Sequence, residues 1–490
     1  MMNFANLINE ISRSSESQEN FLTDSKLTCR YPEIPNLIEK IDHYLAHQGI
    51  ATGDCLAIEC INSVPSAVLL IYLLTKRIGF MLLPPSENAD KSSVLKPIPR
   101  FCQFRLTVLP LLEKEDADWM LHLDKFIRVE PRELDANNEA LTRIDTEDRL
   151  FVRTSGSMGE AKIVVYDQTR VLSSAYNCVN KYQFTAEDRM AIPVPIFHMY
   201  GFGAEFLPAL LVGGSIDLQE NSNLLKYLDR ERRFLPTIAF ITPNLCEMLI
   251  RGWKKPRPYK VIVTSGQRIR EDLFRAFDPL CGNRLVNQYG STEMGPIAAC
   301  NPSDSLDLRT RSIGSPMNGV ELRIETTDDT TDSGELYCRH PYAFEGYMNE
   351  SGQWLAKAQE WHRTGDLAKT DQDTLIVTGR ADSSINRSGY LILLADIEKA
   401  LETLDDVVQA VVVPIQAENI QGQSLVAFCV KMPNAPVTDQ HIRTASAKIL
   451  PKYAVPDSVV LLDALPLLPS GKADQQALKT YALSTVLPKL

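Results

Sequence analysis

The sequence predicts an α/β protein: a large N-terminal domain of several subdomains built on βαβ sheets, followed by a small α+β C-terminal domain. Three observations carry that expectation. From residue 27 onward, short apolar, β-branched runs alternate with stretches of helical spacing, the pattern of βαβ units and a mostly parallel sheet. Near residue 320 the pattern changes to short strands that suit antiparallel pairing. Beyond Arg380 the rest of the chain reads as a compact α+β stretch, which places the boundary near Gly379 to Asp382 and divides 1–378 from 379–490. At 490 residues the chain exceeds one ordinary domain.

The elements follow in order. Pro35 to Gly49 carries apolar residues at Leu37, Ile38, Ile41, Tyr44 and Leu45, which is helical spacing. Gly53 turns the chain into a short buried strand, Cys55–Ile58. A helix from about Ser63 to Arg77 and a strand from Phe80 to Leu83 come next. Residues 91–145 are less regular, and no chemistry is placed there. Arg149–Val152 and Ile163–Tyr166 read as strands, and Thr169 to Tyr182 as a helix. Ala191–Pro195, Ile238–Thr242 and Tyr259–Thr264 are further strands, and Leu285 begins another that ends in a polar turn. Val320–Ile324, Gly334–Cys338 and Thr374–Val377 read as short antiparallel strands.

Composition narrows the function. With 44% hydrophobic and 23% charged residues the chain is ordinary for a soluble globular protein. A formal net charge of −11 argues against a sequence-independent nucleic-acid binder. It leaves room for a small anion, because local Lys, Arg and backbone N–H groups act at short range. The ten Cys are scattered and form no C-x-x-C pair, so they read as reduced apolar residues of a cytosolic protein. Met1 to Asn20 carries Glu10, Glu16 and Glu19 and no continuous apolar core, unlike a signal peptide. The apolar window Ser66–Leu74 stops at Lys76 and Arg77, short for a membrane span. A cytoplasmic protein with no membrane and no nucleic-acid partner is expected.

Between the strands that end at Val152 and begin at Ile163 lie Thr154, Ser155, Gly156, Ser157 and Gly159, then Lys162. Glycine lets backbone N–H groups converge, and hydroxyls add donors without bulk, so the loop could cradle a polyphosphate with Lys162 adding charge. It could equally be a tight hairpin of turn residues. It is not a nucleotide P-loop: Gly156 and Gly159 stand too close, Ile163 follows the Lys, and a strand follows in place of a helix. Asn287–Glu293 ends a strand where open α/β sheets place ligands, and Glu293 could hold Mg²⁺ while Tyr289 stacks on a base or an acid. A turn with a solvated Glu is the alternative. Thr364-Gly-Asp366 with Arg380 could hydrogen-bond ribose hydroxyls, although Thr-Gly-Asp is also a common turn. Pro469-Ser-Gly-Lys472 presents one lysine on a rigid loop, and such a lysine is usually solvated.

Taken together and in order, these motifs resemble the adenylate-forming superfamily, which includes acyl-CoA synthetases, adenylation domains and firefly-type luciferases. Thr154–Lys162 resembles its phosphate loop, Pro195–Gly201 the border of its acid pocket, and Tyr289–Glu293 its metal and adenine motif. Gly334–Tyr347, Thr364–Asp366, Gly379–Asp382 and Pro469–Lys472 also match, and the resemblance runs from about residue 27 to residue 480. It implies an ATP- and acid-binding N-terminal domain, and a small mobile lid that rotates about Asp382. Thr154, Ser155, Gly156, Ser157, Gly159 and Lys162 would then hold the β- and γ-phosphates. Ser265, Gly266, Gln267, Gln288, Tyr289, Gly290 and Ser291 would frame the adenine. Asp366 and Arg380 would hold the ribose. His198, Gly203, Ser265, Tyr289 and Met294 would line the acid pocket. Thr292, Glu293 and Lys472 would be catalytic, with Mg²⁺ on Glu293. Rotation would exchange Lys472 for the loop around Gly389 between the two half-reactions.

The resemblance implies ATP-dependent formation of an acyl-adenylate and its transfer to a thiol in trans, that of CoA or of a carrier protein's phosphopantetheine. Four positions depart from the usual motifs. Met158 replaces a Thr, Ala161 a Pro, and Asp396 the first Glu of Glu-Ile-Glu; Asn386 replaces a Lys and tilts the acceptor toward a carrier protein. His198 stands where amino-acid-activating members place an Asp, which favours an aliphatic or aromatic acid over an α-amino acid. Two rivals are a nucleotide-binding scaffold without catalysis, against which Glu293 and Lys472 argue, and an oxidative, luciferase-like activity.

Overall fold

The computed structural model describes residues 3–85, 97–110, 122–132, 144–154, 162–220, 223–266, 268–326, 333–371, 374–380, 384–387, 390–416, 423–432, 436–451, 454–468 and 472–486. At residues 154, 380, 384–387, 390–393, 416 and 423 it describes the backbone. The chain forms two compact units, Met1–Leu322 with Cys338–His362, and Arg323–Tyr337 with Arg363–Leu490.

The first unit is built on two large sheets. One orders its strands Ser315–Pro316, Gly295–Ala299, Leu285–Ser291, Val261–Thr264, Ile238–Ile241, Arg189–Ile192, Ser215–Leu218, Phe21–Thr23 and Thr28–Arg30. The strands from Leu285–Ser291 to Phe21–Thr23 run parallel, and the margins run antiparallel. Val261–Thr264, Ile238–Ile241 and Ser215–Leu218 are buried at every position. Parallel strands covered on both faces favour continuous apolar runs such as Val261–Val263 and Ile238–Ile241, while in Ser215–Leu218 the buried Asp217 is paired with Arg230.

The other sheet orders Trp354–Lys357, Gly346–Met348, Lys162–Asp167, Arg149–Thr154, Phe80–Leu83, Leu56–Glu59, Phe104–Val108 and Ile127–Pro131. Its centre is parallel and both margins are antiparallel. The expected mostly parallel sheet is therefore true of the centres, while hairpins close the edges. Helix Val64–Thr75 is buried from Val64 to Leu74, and Ser63 caps it by accepting from the Ser66 N–H. The apolar window of the sequence is thus a core helix. Among the described residues no helix is long and apolar enough to cross a membrane. All ten cysteines are free and buried.

Two polar anchors position the strand ends. Buried Asn62, just past strand Leu56–Glu59, donates to the carbonyls of Ile192 and Val194 at 2.9 Å each, and accepts from Ile196 N–H at 2.9 Å. One side chain thus ties the second sheet to the segment that opens the Pro195–Gly201 motif. Buried Asp278 takes a two-pronged contact from Arg309 (2.7 and 2.9 Å) and a 2.9 Å bond from Leu285 N–H. Arg309 also donates to Leu285 C=O at 2.6 Å. Together they fix the start of strand Leu285–Ser291.

The second unit holds most of a four-stranded sheet, Glu321–Glu325, Gly334–Arg339, His362–Asp371 and Thr374–Arg380. A hairpin follows, Ser384–Arg387 with Tyr390–Leu393, and then a three-stranded sheet, Val407–Gln416, Gln423–Lys431 and Ser458–Leu462. Val407–Gln416 is an edge strand, and helix Leu394–Leu401 covers it. Glu398 accepts from Val412 N–H at 2.9 Å and Glu402 from Ala410 N–H at 3.1 Å. Carboxylates one helical turn apart thereby satisfy alternate N–H groups of the edge. Burial pushes the Glu398 carboxyl up to about 7.

Removing one partner of a buried ion pair strands the other charge, at about 3–5 kcal/mol. Asp278→Ala is therefore expected to lower unfolding stability by about that amount, read from the denaturant midpoint; an unchanged midpoint contradicts the anchor. Glu398 binds its proton more tightly when folded, so its contribution is present at low pH and lost as pH rises toward about 7. Glu398→Gln should gain melting temperature over the parent between about pH 5 and about pH 8. A constant difference across that range contradicts the assignment.

Candidate active site

The site begins with a hairpin. Strands Arg149–Thr154 and Lys162–Asp167 pair antiparallel, with Thr154 opposite Lys162. Ser155, Gly156, Ser157 and Gly159 lie outside the described residues, as do Met158 and Ala161. Their flanking register shows that the glycine-rich segment joins two adjacent strands, the strand–loop–strand expected in place of a P-loop. Lys162 opens the second strand, at the loop's exit.

Strand Gly346–Met348 pairs with that second strand, and Tyr347 lies opposite Val164. Lys162 Nζ lies 5.4 Å from the centroid of the Tyr347 ring. The Tyr347 hydroxyl donates to Glu293 Oε1 at 3.0 Å. Burial and the Glu293 charge raise the Tyr347 phenol, so it stays a donor. Tyr166, on the same strand as Lys162, donates to Thr292 C=O at 2.7 Å, and Phe344 N–H donates to Glu293 C=O at 2.9 Å. His362 stacks edge-on against Phe344 at 5.1 Å, and burial lowers its pKa while Glu293 opposes that. Lys162 and Glu293, far apart in sequence, thus meet at Tyr347, while Tyr166 holds the backbone of Thr292 beside them. A cation and a carboxylate beside a loop of small residues can receive a polyphosphate and its divalent ion, for which Glu293 supplies a hard oxygen donor.

Strand Leu285–Ser291 brings the next group. Asn287, Tyr289 and Ser291 alternate with buried Gln288, whose amide oxygen accepts from Tyr182 hydroxyl at 2.9 Å. Gln288 is thus turned into the core beneath the strand, and Tyr289 is half-buried on the opposite side. Gly290 must be glycine: a Cβ there would lie 2.4 Å from Gly295 C=O, where a bulge shifts the pairing. Ser291 Oγ accepts from the N–H of buried Met294 at 3.1 Å. On the neighbouring strand Thr264 and Ser265 are buried, and Gly266 has φ +89° with open space where a Cβ would point. Gln267 lies outside the described residues. Thr264, Ser265, Gly266 and Tyr289 therefore share the C-terminal edge of parallel strands, where ligands bind in such folds.

His198 ends the segment tied down by Asn62 and is half-buried, its ring 4.4 Å from that of Phe197. Tyr200 crosses to the strand ends, donating to Ile241 C=O (3.2 Å) and Val263 C=O (3.1 Å). Gly201 could not carry a Cβ, which would lie 2.4 Å from Pro195 C=O, and buried Gly203 faces Met199 Cε.

In the second unit, buried Asp366 is the cross-strand partner of Arg380. Gly365 has φ +72°, and the Thr364 hydroxyl donates to Leu336 C=O at 2.8 Å while accepting from Asp366 N–H at 3.1 Å. The two residues expected at a ribose stand opposite each other in register. Lys472 is exposed beside the bridge Leu467–Ala473, and its carbonyl accepts from Leu468 N–H at 2.7 Å. Asp474 then caps helix Gln475–Tyr481. Asp382 and Gly389 lie outside the described residues.

The residues that sequence reasoning passed over are Tyr347, Tyr166 and Asn62. Tyr347 stood in a quoted motif, but only the register to Val164 shows that it links Lys162 to Glu293. Nothing local marked Asn62.

The family described as AMP-binding enzyme matches residues 18–348, and its C-terminal domain matches residues 396–472. An indoleacetate–CoA ligase of Aromatoleum aromaticum is 27% identical, covering 92% of this chain and 94% of its own. A medium-chain fatty-acid–CoA ligase of Escherichia coli is 25% identical, covering 92% and 85%. The o-succinylbenzoate-CoA synthetase of Bacillus subtilis, solved with AMP, superimposes with a TM-score of 0.77 at 21% identity over 97% of this chain and 98% of that one. The chain belongs to the AMP-binding enzymes, the adenylate-forming superfamily of acid–thiol ligases.

If Glu293 holds the divalent ion that neutralises the phosphates while Tyr347 only orients its carboxylate, their substitutions should separate. Glu293→Gln is expected to cut acid-dependent ATP–pyrophosphate exchange by about two to three orders of magnitude. Tyr347→Phe loses one hydrogen bond of about 1 kcal/mol, so roughly fivefold. Equal losses, or the reverse order, contradict these roles.

Proposed function

We propose that this enzyme uses ATP to activate an aliphatic or aromatic carboxylic acid as its acyl-adenylate, then transfers the acyl group to a phosphopantetheine thiol. The observation that carries the reading is the convergence of Lys162 and Glu293 on Tyr347 beside the Thr154–Lys162 hairpin.

The chemistry explains the residues. A carboxylate oxygen attacks the α-phosphorus of ATP and pyrophosphate leaves, so two anions must approach where water is excluded. Lys162 and the loop from Thr154 to Gly159 hold the departing phosphates, Thr292 serves the α-phosphate, and Lys472 stabilises the charge that develops. Asp366 and Arg380 hold the ribose, and Ser265, Gly266 and Tyr289 floor the adenine and acid sites. Mg²⁺, when bound with the nucleotide at Glu293, supplies charge neutralisation. The thiol sulfur then attacks the carbonyl carbon and AMP leaves. His198 in the acid-pocket segment disfavours an α-ammonium there.

CoA is the acceptor that the names of the relatives support. A separate carrier protein is the second reading, and Asn386 favours it. Supplying each thiol in turn to enzyme charged with acyl-adenylate separates them, since only the true acceptor releases AMP at a catalytic rate.

Lys472→Ala is expected to lower acid-dependent pyrophosphate exchange by about a hundredfold or more. Thioester formation from supplied acyl-adenylate should stay within about threefold of the parent. Equal loss of both half-reactions contradicts the role of Lys472, and no acid-dependent exchange by the parent with any acid contradicts the proposed activity.

A further inference from the structure

The segment Met199–Leu211 is one continuous helical stretch with an irregular centre. Met199–Gly201 and Leu207–Leu211 are α-helical, and Phe202–Phe206 between them forms a π-helical turn. The cause is in the sequence. Pro208 has no N–H, and its ring would clash with the carbonyl four residues back. The ladder widens instead, so that Leu207 N–H reaches Phe202 C=O, five residues away. The wider turn swings Glu205 toward the sheet.

Glu205 is fully buried in a core of aromatic and aliphatic side chains. Its Oε1 accepts from Phe240 N–H at 2.9 Å. Strand Ile238–Ile241 pairs with Arg189–Ile192 only through Ile238 and Ala239, so the carboxyl fills the place where the two strands part. Among the described residues, Oε2 has no hydrogen-bond partner. Burial raises its pKa far above that of an ordinary carboxyl. Leaving a buried carboxyl oxygen unmatched is costly, and a structural role alone leaves that cost uncompensated.

Its place suggests the partner. Glu205 lies two residues past Gly203 and seven past His198, in the segment proposed to line the acid site. Its anchor, Phe240 N–H, is one residue before Ile241, whose carbonyl takes the Tyr200 hydroxyl. The carboxyl therefore lies against strand Ile238–Ile241, next to the residue that holds Tyr200, and it is more buried than His198. Resting on the function proposed above, we propose that Glu205 is a specificity-determining residue whose second carboxyl oxygen pairs with a hydroxyl at the end of the acid substrate remote from the reacting carboxylate. A hydroxyl both donates and accepts, so it matches the carboxyl in either protonation state. The preferred substrates are thus hydroxylated aryl or alkyl acids, and their deoxy parents leave Oε2 unmatched.

The test is pyrophosphate exchange with matched pairs: benzoate and 4-hydroxybenzoate, cinnamate and 4-hydroxycinnamate, hexanoate and 6-hydroxyhexanoate. The parent enzyme should favour the hydroxylated member of at least one pair by about tenfold or more in kcat/KM. Moving the hydroxyl next to the carboxylate, as in 2-hydroxybenzoate, should abolish the preference. Glu205→Met should bring the ratio near one, and Glu205→Gln should keep much of it. Exchange with several acids but no preference in the parent overturns the inference and leaves the proposed activity standing. So does a preference that Glu205→Met does not change, or one equally strong for the 2-hydroxy isomer. No exchange with any acid overturns the proposed activity itself. The parent's own comparison of pairs and isomers decides the matter even if Glu205→Met does not fold.

Discussion

The site depends on the pairing of strand Gly346–Met348 with strand Lys162–Asp167. That register puts Tyr347 opposite Val164, and from there one ring touches a lysine ammonium and one hydroxyl reaches a carboxylate. Slipping the pairing by one residue would turn Tyr347 to the other face and part Lys162 from Glu293. The buried neighbours Gly346 and Met348, on either side of Tyr347, hold the register, and a Cβ at Gly346 would lie 2.3 Å from Ala356 C=O. Close packing there is what makes the charge arrangement reproducible.

The same logic extends outward. Asn62 fixes the segment that carries His198, while Asp278 and Arg309 fix the strand that carries Tyr289. Each anchor is a buried polar group with several partners. Buried groups of this kind set direction more than they add stability, because their desolvation offsets much of their attraction. Glu205 differs from them in having one oxygen unmatched, which is why it reads as a group that meets a ligand.

Much of this was legible in the chain. The strand Phe80–Leu83 and the helix Thr169–Tyr182 were expected within a residue of where they lie, because apolar period and turn residues agree there. The helix over Pro35–Gly49 starts and stops within two residues of expectation. The motifs around Lys162, Glu293 and Asp366 carry the family resemblance by themselves. What the chain hid was long-range. Antiparallel margins on both sheets arise from hairpins such as that of Leu285–Ser291 with Gly295–Ala299, whose short strands carry little periodicity. The inward turn of Gln288 follows from strand alternation plus a tyrosine over a hundred residues away. The π-helical turn at Phe202–Phe206 requires knowing that Pro208 continues a helix, which local rules disfavour.

The most direct test is a crystal structure with a non-hydrolysable ATP analogue and Mn²⁺ in place of Mg²⁺, the metal located by its anomalous signal. The account predicts the metal peak at coordinating distance from the Glu293 carboxylate, with the triphosphate along the loop between Thr154 and Lys162. A metal and triphosphate bound away from Glu293 and Lys162 would contradict it.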